Sequence, residues 1–185
     1  MPHEADSRVD AFPRAIRFPL ETPRLLIRPM TLDDATDLHE VYSDAETMQF
    51  LTAELPRTLD ETLEWMVPKI EQQRRDGISL WSAVLRSSGK VVGDCGLQWA
   101  DDEHSVMELG FRLNRAFWSR GLGREAASAC IAAGIEQLRQ RRLVSGTDVS
   151  NVRARRLLER LGMRYLREVD WFGRTMAEYE LNARD

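Results

Sequence analysis

The chain has 185 residues, 43% of them hydrophobic and 30% charged, with a formal net charge of −4. That is the make-up of one globular domain with a sizeable core. The acidic balance argues against a general nucleic-acid binder, and no apolar run approaches the roughly 20 residues that span a bilayer. Met1 to Ala15 mixes Glu4, Asp6, Arg8 and Asp10 with no hydrophobic block. The expectation is therefore a partly ordered extension over residues 1–20, without a secretory leader, ahead of a single domain at 21–185.

Arg24-Leu25-Leu26-Ile27-Arg28 reads as a first strand. Thr31 with Asp34 forms a helix-start signal, followed by Ala35, Leu38 and Tyr42 at helical spacing. The capping box Thr58-Leu59-Asp60-Glu61 opens a second helix with Leu59, Leu63, Met66 and Ile70 on one stripe, which Pro68 is expected to kink or shorten. Ile78 to Leu85 and Val91 to Trp99 are strand-like runs joined by Ser87-Ser88-Gly89-Lys90, and Ser105 to Leu113 adds a third, giving an antiparallel meander. A helix over Gly121 to Gln140 places Gly123, Ala127, Cys130, Ile131, Gly134 and Leu138 on one face, small enough for close approach to a sheet. Leu143 to Val149 is a strand, and Val152 to Arg160 is a short helix stopped by Gly162. Met163 to Phe172 and Thr175 to Leu181 form a closing strand pair. The fold class is α+β: a mixed, mostly antiparallel central sheet flanked by helices.

Cys95 and Cys130 lie in apolar segments without a CxxC or a nearby histidine. They read as small buried hydrophobes of a reducing, cytoplasmic compartment, with no metal site expected. Arg139, Arg141, Arg142, Arg153, Arg155 and Arg156 make a local basic cluster, either a solvated surface or a contact for phosphate groups. His39 and His104 fit core or solvent roles. The five tryptophans are mostly core by default; the alternatives are that Trp118 walls the glycine loop described next and that Trp65 and Trp81 line a pocket.

The densest signal is Phe117-Trp118-Ser119-Arg120-Gly121-Leu122-Gly123-Arg124-Glu125-Ala126. Two glycines open a helix there, and the unpaired N–H groups of a helix N-terminus favour an anion such as a pyrophosphate. The plainer alternative is that the glycines only shape a tight turn. Gly121-x-Gly123-x-x-Ala126 with Asp148 downstream also fits a dinucleotide fingerprint. That turn, however, follows directly on a near-continuously apolar strand. Here Asn114 to Arg120 intervene, and the strand alternates: Val106, Glu108, Gly110 and Arg112 on one face, Met107, Leu109, Phe111 and Leu113 on the other. Too little chain remains for a doubly wound sheet, and no Gly-Lys-Ser/Thr follows to make a P-loop.

The segment from Glu108-Leu109-Gly110-Phe111 through Trp118 to Ala126 resembles the acetyl-CoA motif of GNAT N-acetyltransferases, in the branch of ribosomal-protein alanine acetyltransferases. Asn151-Val152-Arg153-Ala154, continuing from Leu158 to Met163, is similar to that family's next motif, and Glu21 to Arg28 to its first strand. The resemblance covers roughly Glu21 to Leu181 and implies a three-layer GNAT fold. It also implies transfer of an acetyl group from acetyl-CoA, as cosubstrate, to a primary amine by direct attack in a ternary complex. The acceptor is a small molecule or a protein N-terminus, and a homodimer is left open. The alternatives are a non-catalytic acyl-CoA sensor or an interaction module on the same fold.

Carried over residue by residue, the backbone at Phe111, Arg112 and Leu113 pairs with the pantetheine and aims an N–H at the thioester oxygen, where charge develops. Ser119, Arg120, Gly121, Leu122, Gly123 and Arg124 hold the pyrophosphate. Asn151 lies near the cofactor, or caps the helix it precedes. Glu108 is the preferred proton acceptor, directly or through water; its alternative is a structural pairing with Arg112. Many family members carry a general-acid tyrosine where this chain has Leu158, a substitution usual in the alanine-acetyltransferase branch, with Tyr165 and Ser119 as the nameable substitutes.

Overall fold

The computed structural model describes residues 16–183 except 52–54, 56, 57, 102 and 172. Residues 1–15 of the expected extension lie outside that range. The described residues hold eight strands in one sheet and five α-helices. The strands are β1 (Leu20–Glu21), β2 (Leu25–Arg28), β3 (Leu80–Leu85), β4 (Val91–Trp99), β5 (Met107–Leu113), β6 (Arg142–Asp148), β7 (Arg164–Trp171) and β8 (Arg174–Asn182). The helices are α1 (Ala35–Tyr42), α2 (Ala45–Met48), α3 (Leu59–Asp76), α4 (Leu122–Glu136) and α5 (Val152–Arg160). Sheet order is β1-β2-β3-β4-β5-β6-β8-β7, antiparallel throughout except between β5 and β6.

Strand alternation sorts the side chains into two cores, one on each face. Leu25, Ile27, Trp81, Leu97, Leu109 and Leu143 pack with α4 and α5, together with Ile16 and Leu20 from ahead of the first expected strand. On the opposite face Val84 and Val91 pack with Leu38, Val41, Tyr42 and Met66 of α1 and α3. Cys95 and Cys130 are both buried and free.

The expected elements are present, and their differences from the reading have local causes. Thr58 caps α3 as expected: Glu61 N donates to Thr58 Oγ1 at 3.1 Å and Thr58 N to Glu61 Oε2 at 2.9 Å. Pro68 does not end the helix, which runs on to Gly77 at φ 71°. Pro68 and Glu64, whose carbonyl loses its partner, are both exposed, so the missing bond costs little. Leu59 is 41% exposed and off the buried stripe. The short strand β1 and the single-turn helix α2 were not expected; neither is long enough to show a period. Asp34 forms a bidentate pair with Arg28 (2.6 and 2.8 Å) while accepting from Thr31 N at 3.0 Å.

Candidate functional site

The site begins where the parallel pair ends. β5 and β6 are in register only at Met107↔Leu143 and Glu108↔Val144, after which the two strands diverge. On its other edge β5 keeps its ladder with β4 through Gly93↔Leu113. Bonds from Ala100 N to Val106 O and from Asn114 N to Val92 O, both 2.8 Å, fix the parity of that ladder. Even-numbered residues of β5 bond to β4, so odd-numbered ones turn their N–H and C=O toward β6. Past the divergence no described strand faces them. Ser145 Oγ donates to Leu109 O (2.8 Å) and Trp118 Nε1 to Leu113 O (2.7 Å), which leaves the Phe111 peptide groups and the Leu113 N–H directed into the gap. Arg112 has neither group there: its backbone faces β4, and its guanidinium donates to Asp94 at 3.0 Å.

The glycine turn stands at the mouth of this gap. Ser119 has φ 60° and Gly121 φ 79°, the left-handed region that favours glycine at the second position. Gly121 is the N-cap of α4, and no side chain caps that helix, so its first N–H groups remain available. Gly123 has a different use. A Cβ there would lie 3.2 Å from Leu157 and 3.3 Å from Leu113, so its smallness lets α4 close onto β5 and α5. Of the basic cluster, Arg153 reaches the loop, its guanidinium 4.2 Å from the centre of the Trp118 ring. Arg155 is bound to Tyr179 and Val149, and Arg142 to Glu180. Arg120 and Arg124 are exposed.

Asn151 caps α5, accepting from Ala154 N at 3.1 Å. Leu158 is fully buried, so the position of the missing tyrosine is filled by core. Trp81 is also fully buried, bonded to Gln73 through its indole nitrogen, and lines no cleft. His39 bonds Thr62 at 2.7 Å, and His104 stacks on Trp99.

Glu108 lies on the face shared with α1 and α3, in a cleft of about 260 Å³ lined also by Ala100, Gly146, Arg167, Asp170 and Glu178. It is 8% exposed and accepts from Gln98 Nε2 at 3.0 Å and from the Gly146 N–H. Burial raises its carboxyl above the usual range, and those neutral donors offset this only in part. Its structural pairing with Arg112 is not made, since Arg112 has Asp94. Asp94, fully buried, also accepts from Tyr42 Oη at 2.5 Å. Among the described residues Glu108 and Asp170 form no ion pair in this cleft, although the Arg112 charge still acts on Glu108, while Glu178 is paired to Arg167 at 2.7 Å.

These features fit a thioester cofactor: backbone groups to pair an amide arm, an uncapped helix N-terminus for phosphates, and a carboxyl where the gap begins. The profile described as "Acetyltransferase (GNAT) domain" matches residues 24–164. The chain belongs to the GNAT acetyltransferase family. This GNAT chain is 29% identical to an uncharacterised N-acetyltransferase p20 of Bacillus licheniformis over 143 residues, 77% of this chain and 80% of that one. Its fold matches a GNAT-family acetyltransferase of Bacillus anthracis with a TM-score of 0.76 at 20% identity, covering 88% of this chain and 96% of the other. RimL, a ribosomal L7/L12 alpha-N-protein acetyltransferase solved with coenzyme A, matches with a TM-score of 0.75 at 14% identity, over 87% and 95% of the two chains. Acetyl-CoA is the acetyl donor of this family. Among the described residues no group of three or more His, Cys, Asp or Glu is placed to hold a metal ion, and no helix is long and apolar enough to cross a membrane.

Four residues of this GNAT site escaped the sequence reading. Asp94 and Gln98 sit in a run that reads as buried strand, and only their register opposite Arg112 and Glu108 reveals their partners. Arg24 and Glu125 are about a hundred residues apart in the chain yet hydrogen-bonded.

Proposed function

We propose that this protein is an N-acetyltransferase that transfers an acetyl group from acetyl-CoA to a primary amine, either a protein N-terminus or a small molecule, by direct attack in a ternary complex. The observation that carries the reading is the divergence of β5 and β6 beyond Glu108, with the uncapped N-terminus of α4 at its mouth. When bound, acetyl-CoA supplies an activated acyl group on a thiol leaving group. The protein's own residues do the rest. The Phe111 peptide groups and the Leu113 N–H align the amide arm, and the N–H groups from Ser119 to Arg124 receive the pyrophosphate.

Glu108 takes the proton that an ammonium must lose before it attacks, directly or through one water. A carboxyl held above its usual range by burial, but still bonded to Gln98 and Gly146, is oriented for that task without a fixed counter-ion. Asp170 adds negative charge to the cleft, which favours entry of a cationic amine. With Leu158 in the core, the leaving thiolate takes its proton from solvent or a group of the cleft rim.

The test is turnover on a panel of amines and peptides with free N-termini, following thiol release from acetyl-CoA, beside calorimetric binding of CoA. Thiol release that depends on one class of amine supports the reading and names the acceptor. Tight CoA binding with no release on any amine would move the protein to the sensor alternative.

A further inference from the structure

Arg24 and Glu125 are joined by three short contacts, and Thr22 adds a fourth to the same carboxylate. The Glu125 carboxylate accepts from Arg24 N (2.7 Å), Arg24 Nε (2.7 Å) and Thr22 Oγ1 (2.7 Å), and Arg24 Nη2 lies 2.7 Å from it. Arg24 then uses its remaining arm on the glycine loop: Nη1 donates to the carbonyl of Arg120 at 2.9 Å. The guanidinium also lies beneath the turn, its Nη2 3.4 Å from where a Gly121 Cβ would be.

A trans peptide holds its C=O and N–H in one plane, pointing in opposite directions. Fixing the Arg120 carbonyl toward Arg24 therefore turns the Gly121 N–H the other way, away from Arg24. Glu125 has a second consequence. It is the acidic residue in the first turn of α4, and a free carboxylate there would repel an incoming phosphate. Bound to Arg24, its charge is neutralised; burial pushes its carboxyl up, but the bonds from Thr22 and Arg24 outweigh that and leave it below the usual range, so it stays ionised and keeps hold of Arg24.

We infer that Arg24 and Glu125 are positioning residues that set the Gly121 N–H toward the pyrophosphate of CoA. The inference rests on the cofactor reading above. The Arg24 motif at the first strand and the glycine turn are thus one device, built from opposite ends of the domain and meeting at a single carbonyl.

The test compares CoA with pantetheine, which lacks the pyrophosphate, in wild type, Arg24→Gln, Arg24→Lys and Glu125→Gln. Calorimetry gives the affinities; turnover of acetyl-CoA and of S-acetylpantetheine gives kcat and KM. In Arg24→Gln the affinity for CoA falls about tenfold, the order expected for losing an interaction with a charged group. KM for acetyl-CoA rises in step with kcat little changed, while pantetheine binding and S-acetylpantetheine turnover stay within about twofold. Arg24→Lys, which keeps the charge but cannot serve Glu125 and Arg120 together, and Glu125→Gln lie between. Equal losses for the long and the short donor, or unchanged CoA affinity in all three variants, overturn the inference and leave the cofactor reading intact. Wild-type protein that binds no CoA overturns both.

Discussion

One face of the sheet carries two buried carboxylates on neighbouring strands, and they lead different lives. Asp94 lies where α1 and α3 cover the sheet; it bonds the Arg112 guanidinium and the Tyr42 hydroxyl. Glu108 lies where the same face opens into a cleft, and its direct donors, Gln98 and the Gly146 N–H, are neutral. A buried carboxylate with a cation fixed against it belongs to the structure, because removing either partner strands the other. One whose hydrogen-bond donors are all neutral has no such fixed partner, and under the proposed function it is the group that exchanges a proton. Burial alone does not separate the two; the partner does.

The largest effect expected from breaking this contrast is on catalysis. Glu108→Gln lowers kcat by about 10²–10⁴-fold, measured as thiol release under saturating substrates. Because burial raises the Glu108 carboxyl, the acid limb of kcat/KM sits above the ordinary carboxylate range and is lost in the variant. The stability sign runs the other way. A carboxyl raised in the folded state contributes stability below the ordinary carboxylate range and loses it as pH rises through the folded value. Glu108→Gln is therefore no less stable than wild type in urea at neutral pH. A variant that both unfolds and keeps its turnover per folded molecule would place Glu108 with Asp94.

Asp94→Ala shows the opposite signature. It leaves Arg112 buried without its partner, so it costs about 3–5 kcal/mol in urea denaturation. A cost below about 1 kcal/mol would remove the distinction between the two acids. Tyr42→Phe is a milder probe, removing one bond to the same carboxylate and costing about 1–2 kcal/mol.

The smallest effect concerns Lys69, whose Nζ sits 4.7 Å from the Trp65 ring centre and 5.8 Å from that of Tyr42, on the covered side. Burial, and next the nearby Arg112 charge, lower it to about 8. A lysine lowered on folding favours the folded state above its ordinary range and loses that contribution as pH falls through the folded value. Stability should thus rise modestly from about pH 8 toward the ordinary lysine range, and Lys69→Met should flatten the rise in melting temperature. An unchanged slope would show that Lys69 does not belong to the Asp94 cluster.

Much of this was legible in the chain. The alternation from Val106 to Leu113 assigns Glu108 and Arg112 to one face, and that assignment holds because strand geometry is local. The capping box at Thr58, the small-residue face of α4 and the Asn151 start of α5 were readable for the same reason. The two glycines looked alike in sequence and are not: Gly121 takes a positive φ, whereas Gly123 is small because Leu113 and Leu157 press on it. Same-face spacing suggested a Glu108–Arg112 pair, but the strand register set Asp94 opposite Arg112 and Gln98 opposite Glu108.

The sequence by itself determined the longer elements and their order, because periodicity, caps and turn residues act over a few neighbours, and its motifs pointed to the family by resemblance. Which acid is ion-paired and which is held by neutral donors was decided only in three dimensions, by the register of β4 on β5. So was the joining of Arg24 to the carbonyl of Arg120 across 96 residues of chain. Partnerships of this kind depend on which strands and helices end up side by side, and no local pattern in the chain encodes that.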